Sequence, residues 1–333
     1  VKSAYQAQVC IEKNKPVTTF AEDIKSLFDK NLHKLLLTLP VGGILIFTIL
    51  PLIFMIAMAF TNYSKVNSHL VLFDWVGLEN FRQMFDVSGT FGKTFWSVLG
   101  WTIVWAVFAT GLNYILGMLL ALLINRKGTK IKGFWRLIFI LSIAIPQFVS
   151  LLVMRSMLSQ DGIINVMLKN AGWIQKSLPF FSNVAWARIT VIVVNLWIGI
   201  PYTMMQVTGI LQNIPLELYE AAEVDGAGPV IRFFKITLPY MLFVTTPYLI
   251  TTFTANINNF NIVYLLTKGD PVLSGNTAGK TDLLVTWLYK MTVDYQYYNL
   301  GAVIGIMTFV FLAIGSLLVY RRTKSYKDEE GFQ

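Results

Sequence analysis

A chain of 333 residues that is 55% hydrophobic and only 14% charged departs from an ordinary soluble domain, in which about 25% of residues are charged. Its net charge of +9 would suit nucleic acid, but Lys and Arg sit beside the apolar runs, so they act as topology signals and no nucleic-acid partner is expected. One cysteine, Cys10, and two histidines, His33 and His69, exclude an internal disulfide framework and a cysteine or histidine metal site.

The first 35 residues read as a cytoplasmic arm with no cleavable signal peptide, and since the chain opens on Val1 its true start is expected upstream. Within the arm Ile24, Leu27, Phe28, Leu32 and Leu35 recur at helical spacing. That spacing predicts either an interfacial helix over 21–35 or a frayed extension of the first span. Six apolar runs then reach the ~20 residues that a helix needs to cross a bilayer, at 36–60, 97–124, 134–158, 186–212, 240–266 and 299–320. The predicted fold class is an all-α polytopic membrane protein, with an arm (1–35), a six-span domain (36–320) and a cytoplasmic tail (321–333).

Basic residues gather in the arm (Lys25, Lys30, Lys34), after the second span (Arg126, Lys127, Lys130, Lys132) and in the tail (Arg321, Arg322, Lys324). With six spans these regions share one side, which the positive-inside rule makes the cytoplasm. Both termini are then cytoplasmic, and the loops 61–95, 159–185 and 267–298 face outward. Pro40, Pro51, Pro146, Pro201 and Pro247 interrupt the runs, and membrane helices accept such kinks where neighbours satisfy the freed carbonyl.

Between their ends the spans carry no acid or histidine, and Arg136, Arg155 and Arg188 all fall near a boundary where snorkelling is easy. A proton- or sodium-coupled carrier usually places an acid inside the membrane. Its absence disfavours ion coupling, although backbone carbonyls could still hold sodium. Uncharged polar residues form two stripes instead. Asn195, Gly199 and Tyr202 stand at i, i+4 and i+7 in the fourth span, and Thr252, Asn256 and Asn259 repeat that spacing in the fifth. Such stripes make interhelical hydrogen bonds of about 1 kcal/mol or less each, or they line a pocket. A pocket of amides, hydroxyls and a tyrosine ring suits a neutral polyhydroxylated ligand.

Between these two spans lies a polar island, "NIPLELYEAAEVDGAGPVIRFFKITLPYM" (213–241), with Glu217, Glu220, Glu223 and Asp225 against only Arg232 and Lys235. Asn213 is a candidate N-cap and Pro215 falls close to the first helical turn. Gly226 and Gly228 end that helix, Pro229 starts a second short helix through Ile231, Phe234 and Leu238, and Pro239 marks entry to the fifth span. An acidic elbow on the cytoplasmic face is a docking knob for a basic cleft in a partner.

The island also resembles a family signature. Glu220, Ala221, Ala222, Gly226, Ile236, Leu238 and Pro239 match the pattern E-A-A, three residues, G, nine residues, I-x-L-P of membrane subunits of bacterial binding-protein-dependent ABC importers. The resemblance covers 36–320. "WVGLENFRQMF" (75–85) is similar to a motif after the first core span of sugar permeases. "NNFNIVYLLTKGDP" (258–271) and "TDLLVTWLYKMT" (281–292) resemble the maltose and maltodextrin permease subgroup, of the MalF type.

The resemblance implies the six-helix core of the type I importer permease (MetI-like) fold and a subunit that is not itself an enzyme. Its partners would be a second, MalG-like permease subunit, two ATPase subunits that bind ATP and Mg, an extracellular solute-binding lipoprotein and an oligosaccharide. The loop 213–239 would be the coupling element, with Glu220, Ala221, Ala222, Asp225 and Gly226 facing the ATPase and Glu220 pairing with a basic residue there. Sugar-contacting positions of the subgroup fall on Asn195, Ile198, Gly199, Tyr202, Thr252, Asn256 and Asn259, with Gln147 from the third span. Thr252 replaces a serine, Ala255 stands where that pattern has an aromatic ring, and Ile143 and Gln147 also depart from it. The loop 61–95 replaces a large extracellular domain of the enterobacterial protein, as in relatives from Gram-positive bacteria, which often begin with an extra hairpin of spans. The expected cargo is a maltodextrin-type oligosaccharide. Raffinose-like or galactan-derived oligosaccharides are the alternative cargo within the same mechanism, and a secondary carrier is the rival from another class.

Overall fold

In lipid a backbone N–H finds no partner but its own helix or a closed sheet, so the long apolar runs have one accessible conformation. The computed structural model describes residues 2–12, 19–66, 69–70, 73–126 and 128–322, and is helical apart from short loops and an antiparallel pair of two-residue strands, Lys65–Val66 and His69–Leu70. Lys127 and the tail residue Lys324, both part of the predicted basic flanks, lie outside the described residues. Five helices among the described residues are long and apolar enough to span a membrane: Leu32–Ala59, Thr90–Asn125, Val184–Leu211, Pro229–Leu266 and Tyr298–Arg321. They are called spans one, two, four, five and six below.

The sixth predicted crossing, span three, is not one helix. Lys132–Ala144 and Gln147–Met157 meet at an 87° bend, and Pro146 is the N-cap of the second piece. Proline bars the helical conformation at the residue before it, and Ile145 is accordingly extended.

The chain divides into two compact units, Val1–Met58 and Ala59–Gln333. In the first, the helix expected over 21–35 is split. Phe20–Leu27 is a separate helix, held by a reciprocal capping box between Thr19 and Glu22. It closes through the Asn31 amide on the Ser26 carbonyl at 2.7 Å. Leu32 and Leu35 belong to the start of span one. Within that span the turn Leu45–Ile49 widens to a π-helix just before Pro51, and the Leu50 amide reaches back to the Leu45 carbonyl. The same device recurs at Phe233–Thr237 before Pro239, where the Leu238 amide donates to Phe233. A proline ring pushes away the carbonyl four residues back, and a five-residue reach absorbs it.

In the second unit span two is the axis. One layer of core packs Trp101, Trp105, Ala106 and Ala109 against Leu151, Val191, Val194 and Ile262. A second layer packs Tyr114, Met118 and Ala121 against Met204, Val207 and Met241. Small residues let backbones approach in lipid, and a Cβ at Gly117 would meet Thr203 Cβ at 2.7 Å. The segments at the starts of spans two and six are pinned as well. Asn80, from the 75–85 motif, donates to the carbonyls of Ala59 and Thr61 at 2.9 and 2.7 Å and accepts from Asn299 at 3.0 Å. Beneath the loop after span five, Asp282 is fully buried and pairs with Lys290 at 2.6 Å. Burial pushes the Asp282 carboxyl above its ordinary pKa, and Lys290, the Gly279 amide and the Thr286 hydroxyl oppose that rise.

Candidate functional site

The break in span three opens a cavity of about 630 Å³ between spans two, three, four and five. Seven of the eight predicted ligand residues line it: Gln147, Asn195, Ile198, Gly199, Tyr202, Thr252 and Asn256. So do Ile143 and Ala255, and no lining residue is charged. Span four is a regular helix through this region, so its i, i+4, i+7 stripe becomes one wall. Gln147 reaches the cavity as the first residue of the helix that Pro146 restarts.

Asn259 is elsewhere. The regular helix of span five ends at Ile257, and the Asn259 side chain caps the next segment, Phe260–Leu266, by accepting from the Ile262 amide at 3.4 Å.

The amides differ in how they are satisfied. Asn256 lines the cavity while also tying span five to span two, since its Nδ2 donates to Thr110 Oγ1 at 3.0 Å and its backbone carbonyl accepts from Trp105 Nε1 at 3.0 Å. Tyr202, on the cavity side, accepts from Gln206 at 3.1 Å. Asn195 is buried, and its Nδ2 has no partner among the described residues.

Opposite it lies Asn113 of span two, which sequence reasoning missed. Its Nδ2 donates to the Ala109 carbonyl at 2.8 Å, while its buried Oδ1 has no partner among the described residues. An orphaned buried donor or acceptor costs about 1–3 kcal/mol. A hydroxyl group both donates and accepts, so it can complete either amide. The signal available in the sequence was a lone amide in the middle of a 36-residue apolar helix. Asn113 also explains Gly199, because a Cβ there would meet the Asn113 amide at 2.6 Å.

At the far end of span four the acidic island folds as an elbow. Its first helix is Leu216–Val224, with Pro215 at the N-cap. Asn213 is therefore not the cap; its amide closes the last turn of span four on Ile210 at 3.0 Å. Gly226 takes φ +75°, and the Ala227 amide returns to Ala222 at 2.8 Å, the left-handed termination that glycine favours. Gly228 is the N-cap of Pro229–Arg232 rather than part of the stop. The second helix is not separate either, since it runs through the π-turn into span five. The elbow is held on span five by Tyr219 with Thr237 at 2.8 Å, Arg232 with Glu223 at 3.0 Å and the Tyr240 hydroxyl donating to the Asn213 carbonyl at 3.4 Å. Glu220 and Asp225 are exposed and make no ion pair among the described residues, and Ala221 is exposed beside them. Leu216, Leu218 and Val224 are exposed on the same helix.

A family profile described as binding-protein-dependent transport system inner membrane component matches residues 113–325. The galactooligosaccharides transport system permease protein GanP of Bacillus subtilis is 38% identical over 332 residues, covering 99% of this chain and 79% of its own. The maltodextrin permease protein MdxF of the same organism is 38% identical over 314 residues, covering 89% of this chain and 70% of its own. The maltose/maltodextrin permease protein MalF of Escherichia coli is 38% identical over 249 residues, 73% of this chain and 48% of that protein. Among solved structures, a bacterial ABC transporter involved in import of the acidic polysaccharide alginate superposes with a TM-score of 0.70 at 22% identity. The match covers 91% of this chain and 100% of the other, and it shows a shared fold.

Proposed function

Because this chain belongs to the family of binding-protein-dependent transport system inner membrane components, we propose that it is the permease subunit of an ATP-driven importer of maltodextrin-type oligosaccharides. The uncharged cavity beside the broken third span carries the reading. Its orphaned amide donor and acceptor suit the hydroxyls of a neutral sugar, and its wall on span four leads directly into the elbow. Asn195, Gly199, Tyr202, Thr252 and Asn256 would hold the saccharide with Ile198 and Gln147, while Asn259 would act by fixing the end of span five.

The elbow would seat in an ATPase subunit, with Glu220 pairing with a basic residue there and Ala221, Ala222, Asp225 and Gly226 shaping the contact. ATP and Mg would bind on those ATPases, so hydrolysis would not occur on this chain. A second permease subunit would complete the cavity, and an extracellular binding lipoprotein would deliver cargo. The termini would face the cytoplasm of a bacterial cell, of the Gram-positive type. Closure of the ATPases would swing the spans between inward- and outward-open forms.

A second cargo, a galactan-derived oligosaccharide, is favoured by the GanP relative aligning over 99% of this chain. The test is co-purification of the complex followed by ATPase assays with the binding protein across a panel of maltodextrins and galactooligosaccharides. Stimulation by maltodextrins is expected. Stimulation only by galactooligosaccharides selects the second cargo, and an absent ATPase partner with uptake abolished by a protonophore selects a secondary carrier.

A further inference from the structure

At the opposite end of span four from the elbow lies a second, smaller cavity of about 140 Å³, between the first turns of spans two and four and the loop after span five. Three cationic residues line it, Lys93, Arg188 and Lys280, together with Ser97, Trp101 and Asp282. The Arg188 guanidinium lies over the Trp101 ring, 4.3 Å from its centroid, and its Nε donates to the Lys280 carbonyl at 3.1 Å. No other hydrogen bond among the described residues engages it, and none of the three cations makes an ion pair there.

The one acid in the wall is already spent. Asp282 accepts from Lys290 at 2.6 Å, from the Gly279 amide at 2.7 Å and from Thr286 at 2.8 Å. Lys93 and Ser97 sit in the first two turns of a 36-residue helix, and Arg188 near the start of a 28-residue one, so two positive helix ends add to the field. Three cationic side chains thus line one small cavity whose single acid is already paired, and an anion would complement them.

We propose that this cavity is a docking socket for a carboxylate side chain of the extracellular binding protein. The proposal rests on the importer reading above. The volume is well below the ~300–1,000 Å³ of small-molecule pockets, so a saccharide is too large and a single carboxylate fits. The socket opens on the loops at the end of the bundle away from the elbow, where a protein that delivers cargo would sit.

Two measurements on the reconstituted complex test it. First, succinate, as a free dicarboxylate probe, is expected to protect Lys280 from amine-reactive labelling read by mass spectrometry, and so is the binding protein that stimulates the ATPase. Second, the double variant Lys93→Ala with Lys280→Ala is expected to raise the binding-protein concentration for half-maximal ATPase stimulation about tenfold and to flatten its salt dependence. Its basal ATPase and its rate at saturation should stay unchanged. Neither lysine side chain makes a hydrogen bond or ion pair among the described residues, which keeps the variant foldable.

Absence of succinate protection overturns the anion site. Protection by succinate but not by the binding protein, or an unchanged half-maximal concentration, leaves a free-anion pocket and overturns the docking role. A binding protein that fails to stimulate the unmodified complex instead overturns the importer reading, and that failure is seen before any variant is made.

Discussion

At position 199 the bundle admits only a hydrogen. The amide of Asn113 occupies the place of a side chain, 2.6 Å from where a Cβ would stand, and overpacking of this kind costs about 1–3 kcal/mol. Gly199→Ala is predicted to lower both sugar uptake and the melting temperature of the purified complex. Adding Asn113→Ala should restore the melting temperature but not the uptake, because the unpartnered Oδ1 is lost with the clash. An unchanged melting temperature in the single variant would remove the close approach from consideration. The span-four stripe was legible because three residues at helical spacing stay on one face while the helix stays regular. Asn259 leaves its stripe by the same rule. Its spacing from Thr252 has meaning only along an unbroken helix, and the regular helix stops at Ile257. Asn113 has no second amide at helical spacing on its own span, so only the third dimension brings it to Gly199.

Among the elements, the loop after span five is held by a buried ion pair as well as by Leu283, Leu284 and Trp287 in the core. Asp282 and Lys290 lie 2.6 Å apart, and a Cβ at Gly269, whose φ is +86°, would collide with both. Removing one member of a buried pair strands the other charge, at a cost of about 3–5 kcal/mol. Asp282→Ala should therefore destabilise the complex by that order in thermal unfolding, and Asp282→Leu with Lys290→Met should recover much of the loss. Equal stability of the single variant and the parent would show that water, not Asp282, neutralises Lys290. Neither partner was singled out from sequence, since residues eight apart on a loop signal no contact. The elbow was legible in outline because Gly226 and the prolines punctuate it. Its second half was not, because a proline that looks like a boundary is accommodated by a π-turn and the helix runs on.

For the whole molecule, the apolar runs made five spanning helices legible, or six if the bent third pair is one span, and the family profile over residues 113–325 agrees with a permease. The bend of span three was the main omission, since Pro146 alone does not distinguish a kink from a break. The elbow's exposed Glu220 is predicted to be the handle for the motor. Glu220→Lys should abolish co-purification of the ATPase while the bundle still inserts, and normal retention of the ATPase would detach this residue from coupling.

The cavity has an electrical consequence. None of its lining residues carries a formal charge, and a neutral sugar brings none, so membrane voltage does no work on the transfer itself. A single elementary charge crossing would exchange about 2.3 kcal/mol per 100 mV. Uptake into vesicles clamped at different potentials should proceed at one rate, and bilayers carrying the working complex should show no cargo-linked current.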